Sequence, residues 1–152
     1  MPSDLPAVVH VVEAAYLPWV PVIGTRPAPL SADHAALIAE GVVHVAGLDG
    51  TPPVGALDGL VVLRPETEAL CIENVAVHPR VQGRGLGHRL LAFAEHEAHR
   101  LGLPAMRLYT HERMTSNLRL YLATGYVESC REDLGAGHLV HLRKPLPGTA
   151  PA

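Results

Sequence analysis

The chain has 152 residues, a formal net charge of −3, and 48% hydrophobic against 18% charged residues. This balance excludes an intrinsically disordered chain and predicts a single domain over 1–146, followed by a frayed tail at 147–152. The only two cysteines, Cys71 and Cys130, form no C-x-x-C pair. We therefore expect neither a disulfide framework nor a metal site. We expect a cytoplasmic location, where thiols stay reduced.

Membranes and nucleic acids are excluded as partners on similar grounds. No apolar run approaches the roughly 18 residues that a membrane-spanning helix needs, and the first residues, M-P-S-D-L-P, lack the basic region of a signal peptide. Arginines and lysines do not cluster with aromatic residues, as they do in proteins that bind nucleic acids. Instead, residues 78–107 hold five arginines and two glutamates, a basic strip that suits an anionic cofactor.

The first 63 residues predict two helices followed by two strands. A helix is expected over 5–19, then a stiff proline-rich loop over 24–30. Ser31 is expected to cap a short helix over 32–40, which Gly41 ends. Strands are expected at about 42–48 and 54–63, joined by the turn D-G-T-P-P.

The centre of the chain is a strand, a glycine loop and a helix. An apolar strand over 71–77 stops at His78-Pro79, because proline cannot donate to a strand ladder. Three alternating glycines follow in Q-G-R-G-L-G (82–87), then an amphipathic helix that Gly102 and Pro104 end at about 101. The free N–H groups and positive dipole of such a helix start bind phosphate, and glycines let the anion approach.

The remaining elements are a strand at about 105–110, a helix at about 116–124, and strands near 126–132 and 138–144.

Two well-known phosphate-binding motifs do not match the glycine loop at 82–87. A P-loop needs Gly-Lys-Ser/Thr, which is absent. The dinucleotide motif G-x-G-x-x-G needs its third glycine one residue later and an acidic residue about 20 positions on, where 103–109 has none.

Two separate segments carry a resemblance to a known family. The loop 82–87, preceded by V-A-V-H-P, resembles the pyrophosphate-binding loop of the GNAT superfamily of acetyl-CoA-dependent N-acetyltransferases, which reads Gln/Arg-x-x-Gly-x-Gly/Ala. The stretch T-S-N-L-R-L-Y-L-A-T-G-Y (115–126) is similar to the family's closing segment Asn-x-x-x-Tyr-x-x-x-Gly-Phe/Tyr. The matching positions are Gln82, Gly85 and Gly87 in the loop, and Asn117, Tyr121, Gly125 and Tyr126 in the closing segment.

The resemblance implies an α/β (α+β) fold with a mixed, mostly antiparallel central sheet of about six strands. Its two central strands splay apart, and about four helices flank it. The family normally opens with a strand before its first helix. Here the first predicted element is a helix, so either that strand is missing or the helix prediction over 5–19 is wrong. Acetyl-CoA is implied as cofactor, a primary amine of a small molecule or a protein amino terminus as acceptor, and a homodimer as assembly. The alternative is a catalytically silent domain that binds acyl-CoA as a sensor or scaffold.

The resemblance also implies which residues contact the cofactor. The contacts come from the end of the central strand, from the loop and from the closing helix: Val75, Ala76, Val77, Gln82, Gly83, Arg84, Gly85, Leu86, Gly87, His88, Asn117 and Tyr121. Tyr121 is expected to donate a proton to the departing thiolate, since a phenol of pKa near 10 can protonate a thiolate whose acid is near 8.5. A plain core aromatic is the alternative for Tyr121.

Glu73 is the candidate general base. By the period of two it shares a strand face with Val75 and Val77, and an apolar surrounding strengthens a carboxylate as a base. The alternatives are a rim carboxylate paired with an arginine, or deprotonation through a water chain. Cys71 is expected to be a buried small hydrophobe rather than a nucleophile, and the histidines of the central helix to be solvated rather than metal ligands. The acceptor pocket is expected from the first 70 residues and the final strand pair, with Tyr16, Trp19, Arg26 and His111 as candidate lining residues.

Overall fold

The computed structural model describes residues 5–24, 27–46, 57–135 and 137–147. Within these ranges six strands form one sheet in the order β1-β2-β3-β4-β6-β5. The pair β3–β4 is parallel, and the other four pairs are antiparallel. The predicted mixed, mostly antiparallel sheet is confirmed. The strands are β1 (Val43–Ala46), β2 (Gly59–Pro65), β3 (Leu70–Val77), β4 (Ala105–His111), β5 (Val127–Asp133) and β6 (His138–Pro145).

Four helices of more than one turn and one single turn accompany the sheet in the described ranges. The single turn is α2 (Val20–Ile23); the longer helices are α1 (Leu5–Tyr16), α3 (His34–Ala39), α4 (Leu86–Arg100) and α5 (Thr115–Ala123). Short 3₁₀ turns lie at Leu17–Trp19, Ala28–Ser31 and Pro79–Val81. The helix α1 begins at Leu5, the first residue that the structure describes.

Three details of the first half differ from the prediction. The strand expected over 54–63 is observed as β2 from Gly59 to Pro65, so the described residues 57 and 58 lie outside it. The helix expected over 5–19 ends as α1 at Tyr16 and continues as a 3₁₀ turn, where Pro18 removes a backbone donor. Ser31 belongs to the next 3₁₀ turn, and the cap of α3 is Asp33, whose side chain accepts from Ala36 N–H at 3.1 Å. The turn at 49–53, the expected strand residues 47–48 and 54–56, and tail residues 148–152 lie outside the described residues.

The core has one cluster on each face of the sheet. Beneath α4 and α5, apolar residues of β2, β3, β4 and β6 pack against Leu90, Leu91 and Tyr121. Beneath α1, residues such as Leu60 and Ala76 pack against Val8, Val11, Val12 and Tyr16. The helices thus cover both faces, and α1 brings Tyr16 to the centre of the sheet.

The first helical stretch corrects the expectation that no segment is long and apolar enough to span a membrane. Residues Leu5–Ile23 form 19 consecutive helical residues with a hydropathy of 1.4, long and apolar enough to cross a membrane by length and composition alone. The core helix of a folded domain and a signal sequence near the N-terminus pass the same test. In this structure 28% of the stretch is buried, including Val11 at the middle of α1. The packing of α1 on β3 and β2 is therefore one reason for its apolar composition.

The two central strands separate part-way along their length. Pairing of β3 with β4 covers Leu70 to Ile72 only, although β3 continues to Val77 and β4 to His111. On its other edge β3 pairs with β2 throughout, but the register shifts by one residue, so that Val62 opposes Asn74 and Leu63 opposes Ile72. Glu73 is the extra residue of this β-bulge. Because a bulge bends and twists its strand, it explains why β3 leaves β4 at this point.

Candidate active site

The loop after β3 places the start of α4 at the opened end of the sheet. The first backbone hydrogen bond of α4 runs from Arg89 N–H to Gly85 C=O at 3.1 Å. The N–H groups of Leu86, Gly87 and His88 therefore precede the helical ladder and point out of the helix start, where the macrodipole is positive. This is the arrangement that binds an anion.

The glycines of the loop have two different roles. Gly83 and Gly85 have φ angles of 80° and 85°, which other residues adopt only with strain, and a Cβ on either would meet nothing within 4 Å. Gly87 has an ordinary backbone, but its Cβ would lie 3.3 Å from Leu120 Cδ2, so this glycine lets α5 pack close to α4. The open space beside Gly83 and Gly85 is where an anion can approach the backbone.

Two side chains bind the carbonyls of β3 beyond its last pair with β4. The Tyr16 hydroxyl donates to Val75 C=O at 2.9 Å, and Gln82 Nε2 donates to Val77 C=O at 3.2 Å. Tyr16 is buried, and burial raises its pKa, so it remains a neutral O–H donor. These two hydrogen bonds satisfy carbonyls in the part of β3 that does not pair with β4.

Two cavities meet at this opening. The first, here called the loop cavity, has a volume of about 390 Å³ and is lined by the glycine loop, the end of β3, α1 and α5. The second, the distal cavity, has about 400 Å³ and lies between β3, β4, the segment 27–29 and the start of β6. Both volumes are within the range of small-molecule sites. The residues that line both are Tyr16, Val75, Asn117 and Tyr121.

Tyr121 lies at the junction of the cavities. Its side chain is 5% exposed, and burial raises its pKa. The phenol therefore stays protonated at neutral pH, and the same burial makes it a weaker acid than a phenol in water. Asn117, four residues earlier on α5, lines both cavities from the same helix face. Tyr126 packs in the core, as expected for the end of the closing segment.

Glu73 lies on a different face from the one predicted. The bulge changes the phase of β3, so Ile72 and Val75 both pack beneath α4, while Glu73 is on the opposite side with Arg64. Arg64 Nε donates to Glu73 Oε1 at 2.5 Å, and its Nη1 donates to Glu40 Oε2 at 3.0 Å. The side chain still lines the distal cavity. The prediction that Glu73 shares a strand face with Val75 and Val77 is thus wrong. The pairing of Glu73 with an arginine, which was the alternative, is observed.

His111 lines the distal cavity at the end of β4 and is 7% exposed. Its Nδ1 accepts from Arg113 N–H at 3.1 Å. In the neutral ring this hydrogen bond leaves the proton on Nε2. The Nδ1 lone pair is therefore already engaged.

The structure brings ten of the twelve predicted cofactor residues to the loop cavity. Ala76 is fully buried beneath α1, and Arg84 is exposed; neither lines it. Arg80, one of the five arginines of the basic strip 78–107, is ion-paired with Asp58 at 2.7 Å. Among the predicted acceptor residues, Trp19 lines the loop cavity instead of the distal one. Arg26 lies outside the described residues.

Cys71 is confirmed as a buried small side chain. It is 2% exposed, and burial raises the pKa of its thiol to about 11, so it carries little thiolate at neutral pH. Elsewhere in the distal cavity, the sequence reasoning missed Asn74, Tyr109, Thr110 and Met114. Asn74 follows Glu73 directly, and only its position in a strand that would otherwise be apolar marks it in the sequence.

Comparison with known proteins agrees with this geometry. The model of the acetyltransferase (GNAT) family matches residues 10–126. A protein described as a GNAT-family acetyltransferase from Desulfovibrio desulfuricans aligns with 99% of this chain and 95% of its own, at 19% identity and a TM-score of 0.74. The PaiA N-acetyltransferase from Thermoplasma acidophilum, solved with coenzyme A, covers 95% and 94% at 15% identity and a TM-score of 0.72.

A GNAT-family acetyltransferase from Elizabethkingia anophelis, solved with acetyl-CoA bound, covers 77% of this chain and 87% of its own, at 20% identity and a TM-score of 0.60. At these identities the solved structures show a shared fold. No curated protein sequence matches the chain.

The opened sheet, the helix start beside the glycine loop and the paired cavities define an α/β acyltransferase. The chain belongs to the GNAT acetyltransferase family, since the family model spans well over half of its length. The resemblance drawn from the two sequence segments is thereby confirmed.

Proposed function

We propose that this protein transfers an acetyl group from acetyl-CoA to a primary amine. The observation that carries the proposal is the meeting of the two cavities at the bulge in β3, with Tyr16, Val75, Asn117 and Tyr121 common to both. One cavity then holds the donor, the other holds the acceptor, and the transfer takes place where they join.

The loop cavity suits coenzyme A. The N–H groups at the start of α4 and the open space beside Gly83 and Gly85 fit a pyrophosphate. Beyond Ile72 the edge of β3 does not pair with β4. Asn117, and the backbone groups of this edge that Tyr16 and Gln82 do not engage, are the candidates to bind an extended amide chain such as pantetheine. Two of the similar structures hold coenzyme A and acetyl-CoA respectively, in keeping with this assignment.

Acetyl-CoA supplies an activated acetyl thioester. In the transfer, the amine nitrogen forms a bond to the acetyl carbon, the carbon–sulfur bond breaks, and the amine gives up a proton. Tyr121, which lines both cavities, is the candidate to give its hydroxyl proton to the departing thiolate and to regain one from solvent. Glu73, in the distal cavity, is the candidate for the amine proton.

The first experiment is calorimetric titration of the protein with acetyl-CoA, coenzyme A, NAD and ATP. We expect the two coenzyme A species to bind at micromolar affinity and the other nucleotides to bind far more weakly. A screen of amines for release of free thiol from acetyl-CoA then tests turnover. No binding of either coenzyme A species would refute the donor assignment. Binding without thiol release on any amine would favour the silent sensor or scaffold.

The cytoplasmic location and the homodimer stay predictions. Fractionation of cells that express the protein at its natural level tests the first. Size-exclusion chromatography with light scattering tests the second, and we expect about twice the 16.2 kDa mass of one chain.

A further inference from the structure

An unpaired polar atom lies in the wall of the distal cavity. Asn74, the residue after the bulge, is 6% exposed and lines this cavity. Its Oδ1 has no hydrogen-bond partner among the described residues. A buried carbonyl oxygen without a donor is unfavourable, because folding removes the water that it would otherwise bind. In native proteins such an atom requires an explanation, and a ligand that donates to it is one.

The neighbouring groups decide which donor fits. The distal cavity is lined mainly by apolar side chains, including Ile23, Met114 and Leu139. Glu73 supplies a carboxylate, whose Oε1 is ion-paired with Arg64 from outside the cavity lining, and no lysine or arginine is among the described residues that line the cavity. A cation with an apolar body is therefore favoured, and a carboxylate bound in this cavity would find no opposite charge.

The position of Asn74 along β3 is also suitable. It is next in the chain to Val75, which is common to both cavities, so the oxygen lies on the acceptor side of the junction. A hydrogen bond from the amine to this oxygen would orient the nitrogen lone pair while another group takes the proton. Asparagine does not titrate, and its role is to bind and orient the amine.

We propose that the side-chain carbonyl of Asn74 accepts a hydrogen bond from the acceptor amine, and that the acceptor is a primary amine on an apolar body, with no carboxylate beside the nitrogen. The proposal rests on the acetyl transfer proposed above. It adds a residue that binds the acceptor. It also predicts that simple amines are preferred to amino acids as acceptors, a choice that the proposal of acetyl transfer does not make.

Phenethylamine and phenylalanine test the acceptor class, since they share an amine and an aromatic body and differ in the carboxylate. Thiol release from acetyl-CoA is measured with each amine. We expect kcat/KM for phenethylamine to exceed that for phenylalanine by about 100-fold, which corresponds to about 2.7 kcal/mol. Equal turnover of the two, or a preference for phenylalanine, would overturn the acceptor class.

The residue is tested by Asn74→Leu, which keeps the side-chain size and removes the oxygen. We expect KM for phenethylamine to rise by about 10- to 100-fold, because one hydrogen bond to a charged donor is lost. The affinity for coenzyme A should be unchanged, and Tm should be equal or higher, because an unpaired buried oxygen has been removed. Asn74→Asp keeps an acceptor oxygen, and its KM should stay within about threefold of the native value.

The matched control is His34→Leu. His34 is 8% exposed, its Nδ1 is also without a partner among the described residues, and it lines neither cavity. This variant should leave KM for phenethylamine unchanged. If Asn74→Leu lowers Tm and leaves KM as it was, the side chain is structural and the proposal fails. Failure of the native protein to bind coenzyme A would instead refute the donor assignment, which the calorimetric titration detects separately.

Discussion

Gly85→Ala tests the phosphate-binding role of the loop most directly, because its structural cost can be separated from its effect on the ligand. Gly85 caps α4 with a φ of 85°, and an added Cβ would meet nothing within 4 Å. The new methyl group therefore makes no clash within the protein. Its cost in stability is the backbone strain of a left-handed residue, about 1–2 kcal/mol, or a fall in Tm of roughly 2–8 °C for a chain of this size.

The effect on the ligand should be much larger than this strain suggests. The methyl group would occupy the open space beside the N–H groups at the start of α4, where a pyrophosphate must approach closely. We expect the affinity for coenzyme A to fall by about 100-fold, as for loss of more than one charge-assisted hydrogen bond.

Gly102→Ala is the matched control. Gly102 follows the other end of α4 with a φ of 72°, its Cβ would also meet nothing within 4 Å, and it does not line the loop cavity. Both variants should show a similar fall in Tm, and only Gly85→Ala should bind coenzyme A weakly in a calorimetric titration. Native affinity in Gly85→Ala, or an equal loss of affinity in both variants, would refute the reasoning.

Tyr121→Phe should lower kcat by roughly 10- to 1,000-fold with unchanged coenzyme A affinity; native turnover would identify another proton source. Glu73→Gln should shift the rise of kcat/KM with pH, and an unaltered profile would exclude this base. Gly59→Ala puts a Cβ 3.0 Å from Ala76 C=O and should cost about 1–3 kcal/mol in urea unfolding. Burial lowers the pKa of His44, so the unfolded chain binds this proton more readily and stability should fall as pH drops through about 6.5. Between pH 7.5 and pH 5.5, the Tm of His44→Gln should then fall by less than the Tm of the native protein.

The sequence pattern was sufficient to predict the part of the site formed by one continuous segment, which is β3, the glycine loop and α4. Apolar residues at helical spacing, glycines before them and a C-terminal glycine predicted a helix to about 101, and α4 runs from Leu86 to Arg100. The strand before it was predicted over 71–77 and is observed over Leu70–Val77. Chain order alone brings these elements together, so no knowledge of distant contacts was needed.

The distal cavity could not be predicted in the same way, because its walls come from distant parts of the chain. Trp19 was placed there on composition, but the 3₁₀ turn after α1 directs it to the loop cavity. The partner of Glu73 is Arg64, nine residues earlier on the adjacent strand, and no local pattern selects it among twelve lysines and arginines. Asn74 could be recognised as unpaired only after its surroundings were known.

One inserted residue accounts for both the opened sheet and the error about Glu73. A period of two assumes an unbroken strand, but the bulge places Glu73 and Asn74 together opposite Val62 and moves Val75 to the face beneath α4. The same bend ends the pairing with β4, which makes room for the two cavities. In this structure Glu73 is bound to the guanidinium of Arg64. A base at this position would therefore exchange one cation, Arg64, for another, the incoming ammonium, and Asn74 beside it would hold the amine during that exchange.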